Sequence, residues 1–117
     1  MRKSIGGAVS LVLNTQFKKL YTKGSSYVSP SVVVYAKRNG LAHNRLGITV
    51  SKKIGKAVVR NRAKRRLREV YRINSANILQ GYDFVLVARG RTAECPYEKL
   101  FADFVQAAKN LGVYKNE

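Results

Sequence analysis

The sequence predicts an α/β fold: three helices and a small sheet that includes a parallel strand pair. Three observations carry the prediction. Within residues 51–72, Val59, Ala63, Leu67, Val70 and Tyr71 fall at i, i+4, i+8, i+11 and i+12, one continuous stripe on a helix. Residues 31–36, 45–50 and 83–88 are rich in β-branched, aromatic and other apolar side chains and read as strands. The second and third of these flank the helix, and a strand–helix–strand unit implies parallel strands joined by a helical crossover.

The elements follow in order. Asn14 is a plausible N-cap for a short helix carrying Phe17, Leu20 and Tyr21. Gly24 is expected to end it as a left-handed residue. Residues 25–31 contain Pro30 and read as a turn or irregular edge strand. In the strand at 31–36, alternation puts Val33 and Tyr35 on one face, Val32 and Val34 on the other. Residues 37–44, with Asn39-Gly40 inside, are expected to be a hairpin connection to the strand at 45–50. Gly55 and the lysines before it lead into the basic helix, which begins near Ala57 and ends around Ile73-Asn74. The nearly continuous apolar run at 83–88 suggests a strand buried on both faces. Arg89-Gly90-Arg91 is a basic turn. Cys95-Pro96-Tyr97-Glu98 reads as a helix start, with Pro at the first helical position, Glu where a capping box wants it, and Cys at the cap. Leu100, Phe101, Phe104, Val105, Ala108 and Leu111 form that helix's apolar face. Residues 1–117 are expected to form a single domain, with 1–12 a flexible lead-in and 113–117 a frayed tail.

Composition narrows the function. Formal net charge is +17, from 23 basic and 6 acidic residues. Self-repulsion on that scale in a compact domain points to a polyanionic partner. One cysteine, Cys95, excludes an internal disulfide and is compatible with a reducing cytoplasm. One Cys and one His, His43, cannot build a zinc cluster, and the acids are scattered, so no metal site is expected. No apolar run approaches a membrane span. The start of the chain superficially resembles a signal peptide, but Gly6, Gly7 and Ser10 interrupt its apolar stretch. There is no nucleophile elbow, phosphate-cradling loop or paired-carboxylate motif, so no catalytic residues are expected in the protein itself. Glu69, four residues after Arg65 and three before Arg72, reads as half of an intrahelical ion pair.

Nucleic-acid binding fits these limits. Ten of the 22 residues at 51–72 are Lys or Arg. Arg60, Lys64 and Arg68 repeat every four residues along one helix line, and Arg65 and Arg72, with Asn61, mark a neighbouring one. Two such ridges suit the phosphates of a folded RNA, and the Asn61 amide can hydrogen-bond a base edge, a 2′-hydroxyl or nearby backbone. The other reading of the ridges is a solvated face. Phe17 and Tyr21 lie one helical turn apart, and Tyr35 lies on a strand, with Lys18, Lys19, Lys23 and Lys37 nearby. Aromatics beside cations serve single-stranded RNA by stacking and phosphate contact. Residue chemistry alone leaves that role and a core role equally open.

The run from Ser51 to Glu69, with Arg60-Asn61-Arg62 at its centre, resembles the signature of the bacterial ribonuclease P protein subunit. The blocks at 17–24, 33–35, 45–51 and 82–89 also resemble that family, in the right order, over about residues 13–112. The resemblance implies a two-layer α/β sandwich, in the order α-β-β-β-α-β-α, with a mixed four-stranded sheet and a left-handed βαβ crossover. It implies a subunit that binds a catalytic RNA and helps it remove the 5′ leader from precursor tRNA, with Mg²⁺ held chiefly by the RNA. Under it, Lys52, Lys53, Lys56, Arg60, Asn61, Arg62, Lys64, Arg65 and Arg68 contact the catalytic RNA. Phe17, Tyr21, Val33 and Tyr35 line a cleft for the leader. The resemblance also implies a protein that works in the cytoplasm, away from membranes, with no obligate protein partner. Gln16 stands where the family usually has an acid. The segment before Asn14 is apolar and Gly-rich where many members are basic, so no RNA contact is carried onto the extreme N-terminus. The alternatives from other classes are a non-catalytic ribosomal RNA-binding protein and a cationic DNA-binding protein.

Overall fold

The parity of apolar residues along each strand decides which way the sheet faces, and the computed structural model, which describes residues 4–5, 8–10 and 14–115, follows that parity. The elements are β1 (Ser4–Ile5), β2 (Ala8–Ser10), α1 (Asn14–Lys23), β3 (Ser25–Val28), β4 (Val32–Arg38), β5 (Arg45–Thr49), α2 (Ala57–Asn74), β6 (Tyr82–Ala88) and α3 (Tyr97–Asn110). They form one mixed sheet in the order β1-β2-β5-β6-β4-β3. Its four long strands, β3 to β6, are the expected sheet. β5 and β6 run parallel, joined across α2, while β3–β4 and β4–β6 are antiparallel.

Even-numbered strand residues pack under α2 and α3. Val32, Val34, Ala36, Leu46, Phe84 and Leu86 are buried against Ala63, Leu67, Val70 and Tyr71 of α2 and Leu100, Phe104, Ala107 and Ala108 of α3. The predicted stripe of α2 is therefore its buried face, with Val59 half-buried at its start. Tyr71 is the largest side chain in this core. Its ring meets Phe84 and Phe104 at 5.9 and 6.3 Å between centroids. Its hydroxyl accepts from Asn44 Nδ2 at 3.1 Å, and burial pushes the phenol pKa above its ordinary value. Odd-numbered residues form the opposite face, where a second, smaller cluster has Leu20 of α1 sealed against Val85. The central strand β6 is thus covered on both faces, as its continuous apolar run predicted.

Several expectations need correction. The segment at 37–44 is not a hairpin, because β6 lies between β4 and β5. Asn39-Gly40 instead starts a loop that wraps the head of β6. The Asn39 N–H donates to Gly81 O, and the Tyr82 N–H donates to Asn44 Oδ1. The Asn39 amide also donates to His43 O and to Asp83 Oδ1. Alternating apolar runs flanking Asn-Gly mark two strands and a turn, but not whether the strands pair with each other.

Gly24 has no positive φ. Its requirement is space: a Cβ there would lie 2.6 Å from Leu20 O and 3.0 Å from Ala36 O, where the chain leaves α1 and pairs at once with β4. The N-cap of α3 is Pro96, with no side-chain cap, so Cys95 does not cap the helix. The tail is held rather than frayed at 113–115. Val113 is buried, Tyr114 bridges to Ile78, and the Lys115 N–H donates to Asn77 O. Residues 116–117 lie outside the described residues. The expected lead-in contains β1 and β2, with β2 parallel to β5 at Val9↔Arg45 and Ser10↔Leu46. Its remaining residues lie outside those described. Without β2, the outer edge of β5 would present unpaired backbone groups.

A polar clamp fixes the head of the parallel pair. Arg45 and Asp83 are register partners. Arg45 Nε and Nη2 donate to Asp83 Oδ1 and Oδ2, both at 2.7 Å, which raises the arginine pKa. Asp83→Ala would strand this guanidinium, and remove one of the Asn39 amide's two acceptors, in a site where the carboxylate is only 10% exposed. We expect a loss of about 3 kcal/mol in denaturant unfolding. A loss below about 1 kcal/mol would show the pair to be effectively solvated.

Candidate nucleic-acid interface

Strand register assembles the first surface. On the α1 face, Val28, Val33, Val87 and Thr49 are successive cross-strand partners, and so are Ser26, Tyr35, Val85 and Gly47. Each row crosses four strands, about 14 Å at the usual strand spacing. α1 covers the second row. Phe17, Leu20 and Tyr21 face the sheet at i, i+3 and i+4, and Phe17, Tyr35 and Val87 pack around the Leu20–Val85 contact. The first row stays more open, with Val28 62% exposed. The first row is therefore an open strip of sheet beside α1, apolar at Val28, Val33 and Val87; with the edge of α1 it forms the candidate groove.

The predicted cleft residues meet here. Tyr21 and Tyr35 are in edge-to-face contact at 4.9 Å between centroids and 80° between planes. The Tyr21 and Thr49 hydroxyls share a hydrogen bond of 3.2 Å, which ties α1 to the end of β5. An edge-to-face pair occupies the edge of one ring and one face of the other, and leaves the remaining faces out of that contact. Tyr21 is exposed, while Phe17, Val33 and Tyr35 are half-buried. Of the three aromatics, Phe17 and Tyr35 therefore pack against the Leu20–Val85 cluster while keeping part of their surface, and Tyr21 is the exposed one. Lys18, Lys19 and Lys23 are exposed on α1. Sequence reasoning missed Thr49, Val28 and Val87 as groove residues. Their parity was legible, but their alignment depends on the register between β3, β4, β6 and β5.

The second surface lies on the opposite face of the sheet. Ser51 leads into a single turn of 3₁₀ helix at Lys52–Ile54, then Gly55 and α2. Lys52, Lys53, Lys56, Asn61, Arg62, Lys64, Arg65 and Arg68 are all exposed, and none has an ion-pair partner among the described residues. Arg60 differs: it is half-buried, and its Nε donates to Gly55 O at 3.2 Å. Arg72, also exposed, is paired. It grips Glu69 through two hydrogen bonds of 3.0 and 2.7 Å, and this holds the Glu69 carboxyl below its ordinary pKa. The predicted ion pair is therefore formed, with Arg72 rather than Arg65. Lys52 and Lys53 follow Thr49 by three and four residues, so one basic segment joins the end of the groove to the cationic helix.

Three of the six acids are paired. Glu69, Asp83 and Asp103 each face a cation. Among the described residues, no group of three or more His, Cys, Asp or Glu side chains could hold a metal ion. No helix among them is long and apolar enough to cross a membrane.

Known proteins share this fold. The family model described as Ribonuclease P matches residues 7–112. The ribonuclease P protein component of Natranaerobius thermophilus is 45% identical over 101 residues, covering 86% of this chain and 88% of the relative. That of Caldanaerobacter subterraneus is 43% identical over 102 residues, covering 87% and 88%. The solved structure of the Staphylococcus aureus RNase P protein superimposes with a TM-score of 0.81 at 31% identity, covering 97% of this chain and all of that one. The Thermotoga maritima RNase P protein gives 0.74 at 31%, covering 83% and 92%. A family match over most of the chain and a shared fold at this identity have one reading: the chain belongs to the ribonuclease P protein family, the protein subunits of that enzyme.

Proposed function

We propose that this subunit binds the catalytic RNA of ribonuclease P through the 52–68 segment and the 5′ leader of precursor tRNA in the groove beside α1. The carrying observation is that a cationic helix and an aromatic-edged groove lie on opposite faces of one sheet. The helix offers Lys52, Lys53, Lys56, Arg62, Lys64, Arg65 and Arg68 as phosphate contacts, with Arg60 braced on Gly55 and Asn61 able to reach a base edge or 2′-hydroxyl. The groove offers Phe17, Tyr21 and Tyr35 to stack unpaired bases and Val33 as floor, with α1 lysines alongside to track the backbone. A leader is single-stranded, which suits stacking; a folded RNA presents dense phosphate, which suits the helix.

Under this reading the protein positions substrate and leaves hydrolysis to the RNA. Among the described residues no cluster of carboxylates could hold a metal ion; in this proposal the Mg²⁺ that supports cleavage is held chiefly by the catalytic RNA. The site of action is the cytoplasm.

Reconstitution with a ribonuclease P RNA tests the proposal. We expect the protein to stimulate correct 5′ cleavage of precursor tRNA most strongly at low Mg²⁺, and RNA-free protein to cleave nothing. Site-specific, metal-dependent cleavage by the protein alone would overturn the assignment of catalysis. RNA binding with no stimulation would favour a ribosomal RNA-binding role, and a preference for duplex DNA would favour a DNA-binding one.

A further inference from the structure

Arg66 stands apart from the other cations of α2. It is half-buried rather than exposed. Its Nη1 donates to the Thr92 carbonyl at 2.8 Å, and its guanidinium carbon lies 5.9 Å from the centroid of the Tyr97 ring. A planar cation held by a carbonyl and an aromatic face is already engaged, unlike its exposed neighbours Lys64, Arg65 and Arg68.

Thr92 carries the connection onward. It is fully buried. Its hydroxyl donates to Ser31 O at 2.6 Å and accepts from the Arg89 N–H at 2.7 Å. The Ser31 hydroxyl and N–H both donate to Asp103 Oδ2, at 2.7 and 3.2 Å. Arg89 Nη1 donates to Ser29 O at 3.1 Å. This polar network links α2 to the turn after β6, to the residues ahead of β4, and to α3. Val33 lies two residues after Ser31, and Val87 lies two residues before Arg89. Both belong to the open row of the groove, with Val28 opposite Val33.

We propose that Arg66 is a positioning residue: it holds the Val28–Val33–Val87 end of the groove at a fixed placement relative to the cationic face of α2. This rests on the groove being the leader site. A strand in the groove and an RNA on the helix then meet the protein in one geometry, although Arg66 touches neither. Without the tie, α2 keeps its core contacts to the sheet and the turn at 89–92 keeps its bonds to Ser29 and Ser31; what loosens is the turn itself and the strand ends it joins, the Val33 and Val87 end of the groove.

The test uses the reconstituted holoenzyme with long-leader precursor tRNA and with mature tRNA, comparing wild type with Arg66→Met, Arg66→Lys and Tyr35→Ala. Met retains much of the apolar stem, while Lys restores charge and a donor but not the planar stack. Arg66→Met should leave affinity for the catalytic RNA and its salt slope unchanged. It should reduce discrimination between precursor and mature tRNA by about three- to tenfold, and Arg66→Lys should recover part of that. A log–log salt slope flattened by about 0.7–0.9 would make Arg66 a phosphate contact and overturn the proposal. Unchanged discrimination, while Tyr35→Ala loses it, would overturn the proposal and leave the groove reading standing. If Tyr35→Ala also discriminates normally, the groove reading fails and the proposal fails with it. Should Arg66→Met not fold, Tyr97→Leu removes the ring under the guanidinium and is read the same way: reduced discrimination at unchanged slope supports the tie, and unchanged discrimination overturns it.

Discussion

Combining Lys64→Ala, Arg65→Ala and Arg68→Ala is expected to weaken binding of the catalytic RNA by about a hundredfold or more near 0.1 M salt. The three side chains are exposed and unpaired among the described residues, so their charge is available to phosphate. Each phosphate neutralised contributes roughly 0.7–0.9 to the steepness of the log–log salt dependence. If the segment neutralises about six, the wild-type slope is on the order of −4 to −5, and the triple variant should flatten it by about 2–3. The fold should survive, because Ala is the best helix former and the buried stripe of Ala63, Leu67, Val70 and Tyr71 is untouched. Arg60 is a less clean target, since its bond to Gly55 O also braces the start of the helix. Affinity and slope both unchanged, in titrations over a range of salt, would show that the ridges are only a solvated face.

Sequence made some of this legible because it records local periodicity. The 3.6-residue spacing of Val59, Ala63, Leu67, Val70 and Tyr71 fixed the buried side of α2 and therefore its cationic side. The alternation of Val32 to Tyr35 fixed which residues face α1, and the unbroken run of β6 foretold its central place. Pairing was not recorded. The Asn39-Gly40 turn looks like a hairpin whether or not its strands are neighbours, and β6, more than 30 residues on, takes the place between them. The same missing register hid Val28, Val87 and Thr49 from the groove. Gly24 was read for its conformational freedom when the constraint was the closeness of two carbonyls. On the helix, the spacing placed Arg65, Arg66 and Arg72 in the same cationic run. Tertiary contacts with Thr92 and Tyr97 set Arg66 apart, and the intrahelical pair with Glu69 sets Arg72 apart, while Arg65 has no ion-pair partner among the described residues.

The groove carries the second large expectation. Tyr35→Ala removes the ring that stands against Tyr21 at the edge of the groove and should lose about 1–3 kcal/mol of leader binding if the ring stacks directly on a base. Tyr35 is half-buried and borders the small Leu20–Val85 cluster rather than the main core, so the fold should tolerate its truncation better than that of Phe17, which packs beside Leu20. The most direct measurement is holoenzyme affinity for precursor tRNAs of stepped leader length, for wild type and Tyr35→Ala. Two RNA surfaces on one sheet predict that wild-type affinity rises as the leader lengthens to fill the groove. In Tyr35→Ala that gain should largely vanish, while binding of mature tRNA and assembly with the catalytic RNA stay unchanged. Equal losses for precursor and mature tRNA would contradict this and place Tyr35 in the core or at the catalytic-RNA interface.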